Sequence, residues 1–316
     1  MNSIVHYTRC PACDSSLINP VLSARDYTVS GESFSIWQCA DCSIRFTQDV
    51  PGIDTMGKYY KSENYISHTN TSKGLINRLY QIIRKKTLRQ KRKLVSKIAG
   101  KKQGEILDVG SGTGAFVSEM KQNGWQVVGL EPDAGARKIA KEIFNCELRD
   151  TGELFHLPEN FFDIITLWHV LEHVHDLQNF LTQLKKILKP NGRVIIAVPN
   201  YTSLDASVYK EYWAAYDVPR HLYHFSPLAM EFLMKKTGME IIDHRPMWFD
   251  SFYISLLSSK YKNASLHGAG KAFGDARPDK QGKPNWLASF IIGVRSNLKT
   301  MFHKKKCSSL IYIIRK

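Results

Sequence analysis

Residues Ile106 to Phe116 read ILDVGSGTGAF, an apolar run ending in Asp108 followed by Gly110, Gly112 and Gly114, with Ser111 and Thr113 between them. Glycines at alternate positions let a backbone turn tightly and approach a ligand closely. A loop of this kind behind a buried strand is where open α/β sheets hold nucleotide-like molecules. Dinucleotide sites space their glycines as Gly-x-Gly-x-x-Gly to cradle a pyrophosphate. The spacing here differs, and a carboxylate stands beside the loop. Asp108 would repel a pyrophosphate and attract an ammonium group, so the pattern points to a cationic amino-acid cofactor.

A second chemistry lies near the start of the chain. CPAC places Cys10 and Cys13 two residues apart, and CADC does the same for Cys39 and Cys42. Two such turns aim four thiolates at one point, the donor set of a tetrahedral Zn2+ with every position taken by protein. Such a zinc is structural, since no position remains for water, and it stabilises a module too small for its own core. Cys146 and Cys307 stand alone and read as ordinary buried thiols.

The elements that position these residues follow from the rest of the chain. With 316 residues, 43% of them hydrophobic, it is long enough to bury a large core. No signal-peptide pattern opens it, and its longest uncharged apolar stretch, Trp286 to Val294, is too short to span a bilayer, so a cytoplasmic protein is expected. Lys and Arg total 44 against 29 Asp and Glu, giving +15, concentrated in Arg84 to Lys102 and in His303 to Lys306. That charge suits phosphorylated small molecules, an acidic membrane surface touched peripherally, or nucleic acid. Nucleic acid is the weakest of the three, because aromatics do not interleave with the charge as a stacking platform requires.

The expected organisation is a zinc ribbon over residues 1–50, a basic helical linker over 51–100, an α/β core over 101–246, an insertion over 247–307, and a final core strand over 308–316. In the linker, Leu75, Leu79, Ile82, Leu94, Val95 and Ile98 recur at helical spacing, and docking of that stripe on the neighbouring domain is expected. From Gly104 the sequence alternates strand and helix: EILDV, QVVGLEP, CELRD, FFDIITLWHV, RVIIAVPN, MEIIDHRP and SSLIYIIRK are expected strands. This predicts a Rossmann-like, doubly wound, seven-stranded sheet whose last strand is antiparallel.

Taken together, LDVGSGTG, VVGLEPD, FDIITLWHVLEHVHD and LKPNGRVIIAVPN make Glu105 to Asn200 resemble the class I S-adenosylmethionine-dependent methyltransferases. The resemblance implies S-adenosylmethionine as cofactor, with Asp108 and Gly110 to Gly114 around its methionine part. It places Glu131, followed by Pro132, on the ribose hydroxyls, Asp150 and Thr151 near the adenine, and His169 on the side of methyl transfer.

Methyl transfer is an in-line displacement that needs alignment and, for a hydroxyl or carbon acid, a base. WAAYDVPRHLYHFSP, from Trp213 to Pro227, gathers Asp217, Arg220, His221 and His224 after the fifth expected strand. The segment resembles that of zinc-ribbon-bearing methyltransferases associated with sugar modification. His221 is the first candidate for the base, with His224 second and His169 the rival, since histidine titrates near neutrality. Arg220 would hold a phosphate or carboxylate of the acceptor. The expected activity is O- or C-methylation of a small molecule or glycan precursor. An RNA methyltransferase using ribbon and basic helices, and a binding module with an inactive cofactor site, are the alternatives.

Overall fold

The computed structural model describes residues 4–60, 75–266 and 285–316, without the side chains of 75–83. HGAGKAFGD, residues 267–275 of the expected insertion, lies outside the described residues, as does Lys73 at the start of the expected linker helix. Strands β1 (Ile4–Val5) and β5 (Val50–Pro51) pair antiparallel and bring the ends of the N-terminal module together. Between them β2 (Ile18–Arg25), β3 (Ser33–Cys39) and β4 (Arg45–Thr47) form an antiparallel sheet. Its fourth strand comes from far along the chain: β10 (Tyr223–His224) pairs with β4 through Tyr223 opposite Phe46.

Helix α1 (Leu75–Ala99) is a single continuous helix. Its buried Val95, with Leu88 and Ile98, packs on Ile106, Phe116, Trp125 and Ile195, covering one face of the main sheet. That sheet has the order β11-β12-β9-β8-β6-β7. Strands β6 (Glu105–Val109), β7 (Gln126–Leu130), β8 (Phe162–Trp168) and β9 (Leu188–Pro199) run parallel, and β12 (Ser309–Arg315) lies antiparallel between β9 and β11 (Glu240–Pro246). β8 and β9 are near-continuous apolar runs because helices cover both sides of a parallel sheet. Helices α2 (Ala115–Lys121), α3 (Ala134–Phe144), α4 (Leu177–Ile187), α5 (Leu204–Tyr209) and α6 (Pro227–Lys236) complete the layers. Helices α3 to α6 start at capping side chains, Asp133, Asp176, Ser203 and Ser226. The expected insertion contains two long helices, α7 (Asp250–Leu266) and α8 (Trp286–Phe302).

Two expectations are corrected. Among the described residues the main sheet has six strands, because CELRD makes only one bridge, Arg149 to Leu130. Arg149 exchanges backbone bonds with Gly129 and Glu131, and at the next residue the Asp150 side chain caps a 3-10 turn over Thr151–His156, ending the pairing. LQNFLTQLKKILKPNG reads in the sequence as one helix, but α4 stops at Ile187 and the LKPNG residues belong to β9, with a register irregularity against β8 between Phe162 and Ile164.

Candidate functional site

The glycine loop leaves the carboxyl end of β6 and turns into α2. Gly110 and Ser111 both donate backbone N–H to the Leu130 carbonyl at 2.8 and 2.9 Å, tying the loop to the end of β7. Gly110 has φ +71°, and a methyl group there would collide with Val170. Alanine is therefore excluded twice, by backbone and by space. At Gly112 the corresponding position meets no atom within 4 Å, so the middle of the loop faces open space.

Two buried carboxylates flank that opening. Asp108, 1% exposed, accepts the Thr166 hydroxyl at 2.6 Å, and burial pushes its carboxyl up to about 6. Glu131 closes β7; its two oxygens accept the N–H groups of Gly112 at 2.7 Å and Asp133 at 3.0 Å, and burial raises it above the usual range. Arg137 binds the Glu131 carbonyl at 2.5 Å, the Pro132 carbonyl at 2.8 Å and the Asp150 carboxylate at 3.0 Å, holding Asp150 and its neighbour Thr151 against the end of β7. Thr113 accepts from Arg84 at 3.2 Å. Asp108, Gly110 to Gly114, Glu131, Pro132, Asp150 and Thr151 thus converge on one end of the sheet. The set suits S-adenosylmethionine: an open loop, one carboxylate for an ammonium, and one with spare lone pairs for hydroxyls.

The three candidate histidines separate. His169 follows β8 in a left-handed conformation, φ +58°, next to the Val170 that packs on Gly110. Its Nε2 lies 3.1 Å from Asp250 of α7 and its Nδ1 3.4 Å from Glu172. Burial works against its charge, but Asp250 and Glu172 outweigh burial and push it up to about 10. The two carboxylates favour the charged form of His169, which makes it a poor base. His221 packs edge-on against His173, its Nδ1 2.9 Å from the Ala215 carbonyl. His224, on β10, lies inside the ribbon sheet with Nε2 3.2 Å from the Thr47 hydroxyl, and burial holds it well below its ordinary value. Burial of Arg220 corrects the expectation for that residue: 1% exposed, it lies 2.9 Å from Asp26 of the ribbon and 2.6 Å from Asp217, and donates to the Tyr59 carbonyl at 2.9 Å. It clamps the ribbon to the core and presents no free guanidinium to an acceptor.

Sequence reasoning missed Lys91 and Asp250. Lys91 reaches from α1 over the Trp168 ring, 4.3 Å from its centroid, and feels both Asp108 and Asp250. Burial outweighs those two carboxylates and pushes its ammonium down to about 8. The available signal was position: Leu88, Lys91 and Val95 are three and four residues apart, so Lys91 shares the docked face.

Two clusters have metal-ligand chemistry. The thiols of Cys10, Cys13, Cys39 and Cys42 all lie within 4.8 Å of one another, with Cys10–Cys42 at 3.6 Å and Cys13–Cys39 at 3.5 Å. Sulfurs on one tetrahedral zinc stand about 3.8 Å apart, so this arrangement fits. Glu172, His173 and His221 also bring one donor atom each within 4.8 Å. There His173 Nδ1 is shared by the Arg220 carbonyl and Tyr60 hydroxyl and His221 Nδ1 by the Ala215 carbonyl, while both oxygens of the buried Glu172 have no hydrogen-bond partner among the described residues.

A family model described as a methyltransferase domain matches residues 80–244. The chain is 30% identical over 149 residues to a demethylmenaquinone methyltransferase of Tropheryma whipplei, an alignment covering 45% of this chain and 62% of that protein. It is 27% identical over 181 residues to a ubiquinone biosynthesis O-methyltransferase of Cereibacter sphaeroides, covering 51% and 72%. Among solved structures, a SAM-dependent methyltransferase from Archaeoglobus fulgidus aligns over 74% of this chain and 94% of its own, at 18% identity and a TM-score of 0.46. The loop, the two acidic residues that flank it and the parallel strands carrying them all lie within the matched residues, and the chain belongs to the methyltransferase-domain family, with the core of the class I S-adenosylmethionine-dependent enzymes.

Proposed function

We propose that the protein transfers a methyl group from S-adenosylmethionine to oxygen or carbon of a small, negatively charged acceptor, a phosphorylated glycan precursor being the chemistry that fits best. The observation that carries the reading is the pair of buried carboxylates, Asp108 and Glu131, on either side of an open Gly112. When bound, the cofactor supplies a methyl group activated by its sulfonium charge. Asp108 would hold its ammonium and Glu131 its ribose hydroxyls, as in the family.

Lys91 and His169 face the acceptor side. His169, with both ring nitrogens turned to Asp250 and Glu172, adds a positive charge to that side and fixes the start of α7 against the end of β8. Lys91 takes the acceptor proton: its ammonium is already pushed down to about 8, and a cationic ligand on Asp108 removes part of what still supports its charge. The four thiols hold a structural zinc, and the ribbon serves to fix the loop containing Asp217 to His221. Of the basic helix proposed as an RNA clamp, Arg84 binds Thr113, Arg92 binds Glu119 and Lys91 covers Trp168, while Lys85, Lys86, Arg89, Lys93 and Lys97 face solvent.

Calorimetry tests the cofactor assignment. S-adenosylmethionine and its demethylated product should bind, NAD should not, and Glu131→Ala should weaken binding by about 1–3 kcal/mol by leaving hydroxyls unpaired. Binding of NAD with no response to S-adenosylmethionine would overturn the assignment.

A further inference from the structure

Helices α7 and α8 pack inside out. Water-soluble helices bury their apolar stripe and expose polar residues. Here the contact between the two helices and the body is made largely by small and hydroxyl residues: Ser251, Ser255, Ser258, Ser259 and Ala264 beside a single buried Ile254 on α7, and Ser289, Gly293, Ser296 and Thr300 on α8. The contact is close, since a methyl group at Gly293 would stand 2.6 Å from the Phe252 ring. Hydrogen bonds fasten it, Ser251 to Asn297 at 2.8 Å and Ser296 to Asp205 at 3.2 Å. The large apolar side chains of α8 point the other way: Leu287 is 71% exposed, Met301 66% and Phe302 82%, with Trp286, Phe290 and Leu298 also open. Small residues between helices with apolar residues outside is the packing of helices that meet lipid.

A cationic groove adjoins the end of this face. His244, Lys299, His303, Lys304, Lys305 and Lys306 line a cavity of about 460 Å³, in which Lys305 pairs with Glu231 at 2.6 Å and Lys306 donates to the Thr202 carbonyl at 3.2 Å. Met301 and Phe302 lie in sequence between Lys299 and His303, so the apolar face runs into the basic groove. Lipid tails beside anionic headgroups present the complementary surface. A second copy of this chain does not, because its formal charge of +15 repels. Among the described residues no helix is long and apolar enough to cross a membrane, so the pair would lie on the interface.

We propose that the outer face of α8, with its lysine groove, docks the protein on an anionic phospholipid bilayer. The proposal is independent of methyl transfer. It gives α7 a second role, since Asp250 at its first turn reaches His169 and so joins the docked face to the candidate active site.

Co-sedimentation of the full-length protein with vesicles tests it. Vesicles of phosphatidylcholine with about one-third phosphatidylglycerol should bind the protein, and pure phosphatidylcholine should bind it far less. The triple variant Leu287→Ser, Met301→Ser and Phe302→Ser should partition at least tenfold more weakly, as should Lys299→Ala with Lys304→Ala. All of these side chains are on the surface, so thermal unfolding should match the parent. Three results would overturn the proposal: no binding to anionic vesicles at low salt, binding that the apolar triple variant leaves unchanged, or sedimentation showing a stable dimer that the triple variant abolishes while vesicle binding persists.

Discussion

At the scale of single residues, the environment decides which ionisable groups can act, and it reorders the candidates. Three histidines were eligible by type. His224 is buried among ribbon side chains, His221 packs edge-on against His173 with its Nδ1 on the Ala215 carbonyl, and two carboxylates face His169. Lys91 is left as the group whose proton is most easily lost near neutrality. Lys91→Met is expected to lower kcat by about 10²- to 10⁴-fold while leaving cofactor affinity within a few-fold, checked by steady-state kinetics once an acceptor is in hand. Asp108 gives a pH test that needs no acceptor. Its carboxyl, raised by burial to about 6, must be ionised to receive an ammonium. Affinity for the demethylated cofactor should therefore be level above about pH 7 and fall by roughly tenfold per unit below pH 6. Asp108→Asn should bind weakly and flatten the profile, and a parent profile that stays level down to pH 5 would contradict the assigned role.

At the scale of elements, periodicity in the sequence was enough to find β6, β7, β8 and β12, because strands covered on both faces are continuous apolar runs. It failed at CELRD, where the residues are strand-like but the pairing is cut short by a side-chain cap two bonds further on, and it failed at the helix-to-strand junction after Ile187. The site was legible where motif and strand end coincide, at Asp108, the glycines and Glu131. It was illegible where a side chain arrives from a distant element, as Asp250 does from α7 and Arg220 does toward Asp26. The ribbon illustrates the same limit: its boundary at residue 50 looks natural in the sequence, yet β10 completes its sheet and Arg220 is anchored in it. Removing its metal should therefore be felt beyond the module. Cys39→Ser is expected to lose about one zinc per chain and to increase amide exchange in residues 213–224 as well as in the ribbon, measured by metal analysis and hydrogen exchange. Arg220→Met should destabilise by about 3–5 kcal/mol, because the buried Asp26 and the partly buried Asp217 would lose the cation they share, although Asp26 keeps the N–H groups of Thr28, Val29 and Ser30.

At the scale of the whole molecule, Asp205 joins pieces that the sequence keeps far apart. Fully buried at the start of α5, it accepts Trp213 Nε1 at 2.8 Å, the Ser308 hydroxyl at 2.6 Å and the Ser296 hydroxyl at 3.2 Å. Asp205→Ala should cost roughly 3 kcal/mol in denaturant unfolding, with three donors left unpaired. Unchanged stability would mean that water or a rearranged neighbour satisfies them. The position of β12 has a consequence for biosynthesis. Among the six strands it is the last to leave the ribosome, yet it lies between β9 and β11 and pairs with both. Throughout translation of residues 200–308 the nascent chain carries β9 with one bare apolar edge, a template for pairing with any neighbouring chain. The sheet therefore closes only after Arg315 is free, which makes the nascent protein a natural client for chaperones, and a message truncated before Ser309 should yield aggregate rather than a smaller folded domain.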